Sequence, residues 1–232
     1  MARPNERIRI YVAPIHDDPV REALQAIDTV HTVPDSMPTI PVESDFAIIE
    51  EAQYRRHRVT LEPARIVLGD TEQPALVFCH EFGHFLDQSG LDGRRLDLLT
   101  TRPEDWASLR PKIRGAIERW ARAVSGSKAY GILRDLATNP VVEIDGTLLD
   151  LRVLVPTWEG LLSPEELWAR TYAQYVAQKS GNSRMMGELD ELLEIERDEV
   201  VYVPEQWTKD DFVPIIKALD QLFGVLGWLR KG

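Results

Sequence analysis

The chain has 232 residues, with 27 Lys and Arg against 38 Asp and Glu, a formal charge of −11. That balance argues against non-specific nucleic-acid binding, whose affinity comes from basic side chains on phosphates, and 44% hydrophobic with 28% charged residues excludes wholesale disorder. Cys79 is the only cysteine, which excludes an intrachain disulfide framework and suits a reducing compartment.

The elements follow in chain order. Arg7 to Ile15 alternates, with Ile8, Ile10 and Val12 on one face, and predicts a strand. Val20, Leu24 and Ile27 give Pro19 to Val30 helical spacing after Asp18 as a cap. Pro34, Pro38 and Pro41 then enforce an extended loop. The basic cluster Arg55-Arg56-His57-Arg58 reads as a solvated strand or turn. Two short strands are expected at Arg58–Leu61 and Arg65–Leu68, and a helix over Ala75–Asp87, stopped by Gly90 and Gly93.

Trp106 to Val124 predicts helix with a break at Pro111. Asp145-Gly146 between Val141–Ile144 and Leu148–Leu154 signals a hairpin. Ser163 to Lys179 is helical and closed by Gly181-Asn182. The run from Glu188 to Glu199 has seven acids in twelve residues and reads as the wet face of an amphipathic helix. Phe212, Ile215, Ile216, Leu219, Leu222 and Phe223 mark a last amphipathic helix. The expectation is one α+β domain over 1–232, with an N-terminal α/β part to about 98 and a helical part from about 99. No apolar run nears the roughly 18 residues of a membrane span. The N-terminus also lacks a secretory apolar core, so the expected location is the cytoplasm, a virion or an injected effector.

The chemistry lies in His80-Glu81-Phe82-Gly83-His84. On a helix, His80 and His84 at i and i+4 stand about 6 Å apart at Cβ, close enough for both imidazoles to reach one Zn²⁺ at about 2.0–2.1 Å. Glu81, one step round, lies beside such a metal, where a carboxylate takes a proton from bound water. Gly83 costs this helix about 1 kcal/mol of propensity, which close packing beside a site explains.

A catalytic zinc site needs a third protein ligand. A His six residues after His84 is excluded, because Gly90 stands there. Glu166 is the leading candidate, since Ala169 and Ala173 at i+3 and i+7 let its helix approach another backbone closely. Three alternatives remain: Ser163-x-x-Glu166 is also a capping box, Glu165 adjoins it, and Asp87, Asp92 and Asp97 follow the second histidine.

Val77-Phe-Cys-His-Glu-Phe-Gly-His-Phe-Leu-Asp87 resembles the active-site helix of zincin metallopeptidases. Glu166-Leu-Trp-Ala-Arg-Thr-Tyr-Ala173 resembles the glutamate helix of the anthrax-lethal-factor-like branch and of peptidase-like proteins of phages and prophages. Trp207-Thr-Lys-Asp-Asp-Phe-Val-Pro-Ile215 is similar to the phage-associated group. The resemblance implies a zincin-like fold and one Zn²⁺ held by His80, His84 and Glu166. It also implies Glu81 as base, a protein or peptide as substrate, and Ala64–Leu68 or a neighbour as the strand along which substrate lies. The lethal-factor pattern places a glutamate where this chain has Arg170, and a tyrosine upstream of the ligand where Val155–Gly160 has none. Tyr172, with Tyr175 and Tyr130, is then the candidate oxyanion helper. Two other functions compete: a non-catalytic zincin-like module that binds a protein partner, and hydrolysis of a non-peptide amide.

Overall fold

The four strands that form one layer are all short. β1 (Ile8–Tyr11), β2 (Ile40–Ser44), β3 (Ala52–Arg55) and β4 (Arg65–Leu68) assemble in the order β1-β2-β4-β3. The computed structural model describes residues 1–48, 51–55, 64–88, 91, 103–198 and 200–230. β1 pairs parallel to β2, joined by α1 (Pro14–Val30), and β2 pairs parallel to β4 from Val42↔Ile66. β3 runs antiparallel to β4, Ala52 opposite Leu68 and Tyr54 opposite Ile66. Among the described strands β4 is therefore interior and β3 lies at one edge. The expected substrate strand is Ala64–Leu68 or a neighbour, and β3 is the neighbour on the outer side of β4; four-residue strands carry too little alternation to rank edge against centre. Pro41 fits inside β2 because it lies before the pairing with β4 begins. The strand expected at 58–61 lies outside the described residues.

Two helix starts show how local signals compete. α1 begins at Pro14, so Pro19 lies inside the helix rather than opening it. The break at Pro111 is real: a 3₁₀ turn at Pro103–Ser108 precedes α3 (Pro111–Ser125), and α2 (Pro74–Gln88) stands before both. α4 (Lys128–Thr138) leads into the hairpin of β5 (Val141–Ile144) and β6 (Thr147–Asp150). Its turn has φ +49° at Asp145 and +78° at Gly146, the left-handed pair that a two-residue hairpin loop needs.

The chain continues through α5 (Val155–Leu161), α6 (Pro164–Ser180), α7 (Ser183–Asp198) and α8 (Lys209–Leu226). α6 is capped by the Ser163 hydroxyl and ends at Gly181, φ +63°. Every residue from Leu167 to Ala177 is buried, so α6 is a central helix rather than an amphipathic one. One core joins both halves: Phe78, Phe82 and Phe85 of α2 meet Trp168 and Tyr172 of α6 and Phe223 of α8. No described helix is long and apolar enough to cross a membrane.

Candidate metal centre

α2 and α6 pack on each other more extensively than any other helix pair, and residue size decides how closely. A Cβ on Gly83 would lie 3.0 Å from the Cα of Ala169 and 3.2 Å from Cδ1 of Tyr172. Trp168 Nε1 donates across the contact to the Gly83 carbonyl at 2.9 Å. That approach places Glu166 opposite the two histidines.

The geometry is tight. His80 Nε2 and His84 Nε2 are 3.1 Å apart. Glu166 Oε1 is 2.9 Å from His80 Nε2, and its Oε2 is 3.4 Å from His84 Nε2. Donors held about 2.0–2.1 Å from a tetrahedral zinc stand about 3.3 Å from one another, and the three separations bracket that value. Without a cation or proton among them, two facing imidazole lone pairs and a carboxylate repel. The donor set is one that could hold Zn²⁺, and His80, His84 and Glu166 are the side chains that would ligate it. The donor atoms of His80, Glu81 and His84 also lie within 4.8 Å of one another, but Glu166 is nearer both imidazoles, whereas Glu81 stands 4.0 Å from His80 Nε2. Glu81 is beside the cluster and buried.

The charge states agree with this placement. Burial pulls the His84 imidazole down, yet the carboxylates of Glu166, Glu81 and Asp87 outweigh it and leave its pKa raised. Burial likewise pushes Glu166 up, but hydrogen bonds and charge from His80 and His84 hold it well below the usual carboxylate range. The capping alternative is resolved in halves. Ser163 Oγ accepts from the Glu166 backbone N–H at 3.3 Å, while both Glu166 side-chain oxygens face the imidazoles. Asp92 and Asp97 lie outside the described residues.

Tyr172 is a site candidate that the structure does not bring to the cluster. Its hydroxyl donates to His31 Nε2 at 2.8 Å, and the residue is wholly buried. His31 gives its Nδ1–H to the Thr32 carbonyl at 2.9 Å and stacks on Phe223. Burial holds its pKa down to about 4, so it is neutral and can accept. Tyr175 donates to Asp220, and Tyr130 lines an apolar cavity with Trp106 and Trp120. None of the three tyrosines lines the groove at His80 and Glu166. Arg170 does line it, but its guanidinium donates to the carbonyls of Leu161, Pro204 and Glu205 and lies 5.0 Å over the Trp207 ring.

The acidic run of α7 holds what the sequence reading missed. Glu188 is buried and accepts from the backbone N–H groups of Ala75 at 3.3 Å and Leu76 at 2.7 Å, capping α2 from another helix. Glu196 is buried as well. The available signal was spacing, because Glu196 falls in register with Met185, Leu189 and Leu192 on the apolar face. Comparison with protein-family models, curated proteins and solved structures finds no match.

Proposed function

We propose that the chain is a zinc-dependent peptidase with a zincin-like fold, in which His80, His84 and Glu166 hold the metal and Glu81 is the general base. The observation that carries this reading is the convergence of three donors from two helices, 2.9–3.4 Å apart, with a fourth, non-ligating carboxylate beside them. All but His84 line one groove of about 280 Å³.

When bound, zinc supplies a Lewis acid and lowers the pKa of its water from about 16 to about 7. Glu81 takes a proton from the attacking water onto a carboxylate oxygen and returns it to the leaving amine. Structural zinc needs no such base, which favours a peptidase over a binding module. Ala52 of β3 lines the same groove, and β3 ends the sheet among the described strands, so an extended peptide backbone would lie beside that strand.

Metal content and peptide cleavage test the reading together. Wild type is expected to hold close to one zinc per chain, His80→Ala none and Glu166→Gln less. Glu81→Gln is expected to keep its zinc and lose at least about 100-fold in turnover. A Glu81→Gln variant that cleaves as wild type does refutes the mechanism; a zinc-loaded wild type that cleaves no peptide points to the binding module.

A further inference from the structure

The segment Pro204–Trp207, between α7 and α8, is held by three other elements. From α6, Arg170 donates to the carbonyls of Pro204 and Glu205. Gln174, also on α6, accepts from the Trp207 N–H at 3.0 Å and donates to the Trp207 carbonyl at 2.6 Å. From α7, Glu196 Oε1 accepts from the N–H groups of Glu205 and Gln206, both at 3.1 Å. Ser127, the cap of α4, accepts from Trp207 Nε1 at 2.9 Å. Glu166, Arg170 and Gln174 are spaced by four and so run along one side of α6. The side of α6 that turns a carboxylate to His80 and His84 therefore also fixes this segment.

One group on the anchored segment is left unmet. Gln206 is 5% exposed and lines the groove with His80, Glu81 and Glu166, yet its Oε1 has no hydrogen-bond partner among the described residues. Its backbone N–H is bound by Glu196, so a fixed main chain presents the side chain. An unmet buried acceptor costs stability. None of the bonds that hold the segment uses this carboxamide, so an apolar side chain would serve the fold as well. A carboxamide in its place suits a donor that arrives with a ligand. The groove measures about 280 Å³, near the lower end of the roughly 300–1,000 Å³ of small-molecule pockets. A molecule that fills it meets the histidine side and Gln206 together.

The chemistry of the donor follows from its surroundings. A cation would be drawn to the carboxylates of Glu51, Glu81, Glu166 and Glu205 that line the same groove. A neutral amide oxygen is left for a neutral N–H. Successive N–H groups of an extended peptide point to opposite sides. A peptide lying beside β3 at Ala52 thus turns alternate N–H groups away from that strand.

We propose, on the peptidase reading above, that Gln206 contacts the substrate: its carboxamide oxygen accepts one backbone N–H of the bound peptide, so the groove selects a secondary amide at that position and rejects proline or an N-methylated residue there.

Thermal melting and peptide affinity test this on the full-length chain. Without metal or peptide, Gln206→Leu is expected to melt at the wild-type temperature or about 2–4 °C higher, because it removes an unmet acceptor. For affinity, a labelled peptide is selected from a random ten-residue library by binding to the zinc-loaded Glu81→Gln chain. Fluorescence anisotropy then compares that chain with the Glu81→Gln, Gln206→Leu chain. The second is expected to bind about tenfold more weakly. Copies of the peptide N-methylated at one position each locate the contact. At a single position N-methylation is expected to weaken binding about tenfold with Gln206 present and not measurably without it, while every other position affects both chains alike. A Gln206→Leu chain that melts lower, binds the peptide equally well or gives the same N-methyl profile overturns the contact, and so does a library from which nothing binds. Cleavage by wild type decides the other question. Gln206-dependent binding without cleavage refutes the peptidase and supports the contact, whereas cleavage with an N-methyl profile indifferent to Gln206 supports the peptidase and refutes the contact.

Discussion

Alanine at Gly83 pits two effects of opposite sign against each other. In an exposed helix the change stabilises by about 1 kcal/mol, because glycine loses more backbone entropy on folding. Here the new Cβ lies 3.0 Å from the Cα of Ala169, and backbone cannot rotate aside as a side-chain tip can. Overpacking of this kind costs about 1–3 kcal/mol, so the net change is a destabilisation of about 1 kcal/mol. For a chain of this length that lowers Tm by about 2–4 °C. The shift also moves Glu166 relative to His80 and His84, so zinc is expected to dissociate faster from the variant. Gly131→Ala on α4 is the control: nothing lies within 4 Å of its built Cβ, so Tm should rise. Differential scanning calorimetry with a chelator competition reads both quantities. A Gly83→Ala variant that melts higher, as Gly131→Ala does, with unchanged zinc release would refute the packing argument.

Other outcomes follow from buried polar groups. Glu188→Ala leaves two buried N–H groups at the start of α2 without their acceptor and should cost about 1–3 kcal/mol in urea unfolding. Glu191→Ala on the exposed face of the same helix should stay within about 0.5 kcal/mol. His31, held at about 4 by burial against an ordinary 6.5, contributes stability that is full above pH 6.5 and is lost as pH falls toward 4. Glu196, pushed up to about 7 from 4.5, acts in the opposite sense, contributing stability below pH 4.5 that is lost as pH rises through 7. Melting temperatures between pH 4 and 7 should therefore depend more weakly on acid in His31→Phe and more strongly in Glu196→Gln. Unchanged profiles would count against both assignments.

The histidine pair was legible because a helix imposes its own geometry. Two residues four apart share a face wherever the helix ends up, and His80 and His84 needed no partner to be found. Gly83, Ala169 and Ala173 were legible for a similar reason, since a run of small residues spends helix stability on proximity. The caps of α6 and the Asp145-Gly146 turn were likewise local, each satisfied within a few residues of chain. Glu166 was half legible: Ser163 predicted where the helix starts, but a first-turn glutamate serves a cap or a metal equally well until a second helix lies opposite it.

What only the tertiary structure decided concerns groups whose partners are distant in sequence. Tyr172 and His31 are 141 residues apart, and their hydrogen bond turns a candidate catalytic hydroxyl into a core contact. Glu188 and Glu196 look like solvent charges in the acidic run, yet one caps α2 across 112 residues and the other is buried, accepting from the backbone of Glu205 and Gln206. Sequence also could not tell β3 from β4 as the edge, because strand order is set by pairing between segments and not by composition. Residue type and spacing thus determined which atoms share the face of α2, while packing decided which carboxylate faces the two imidazoles and which tyrosine does not.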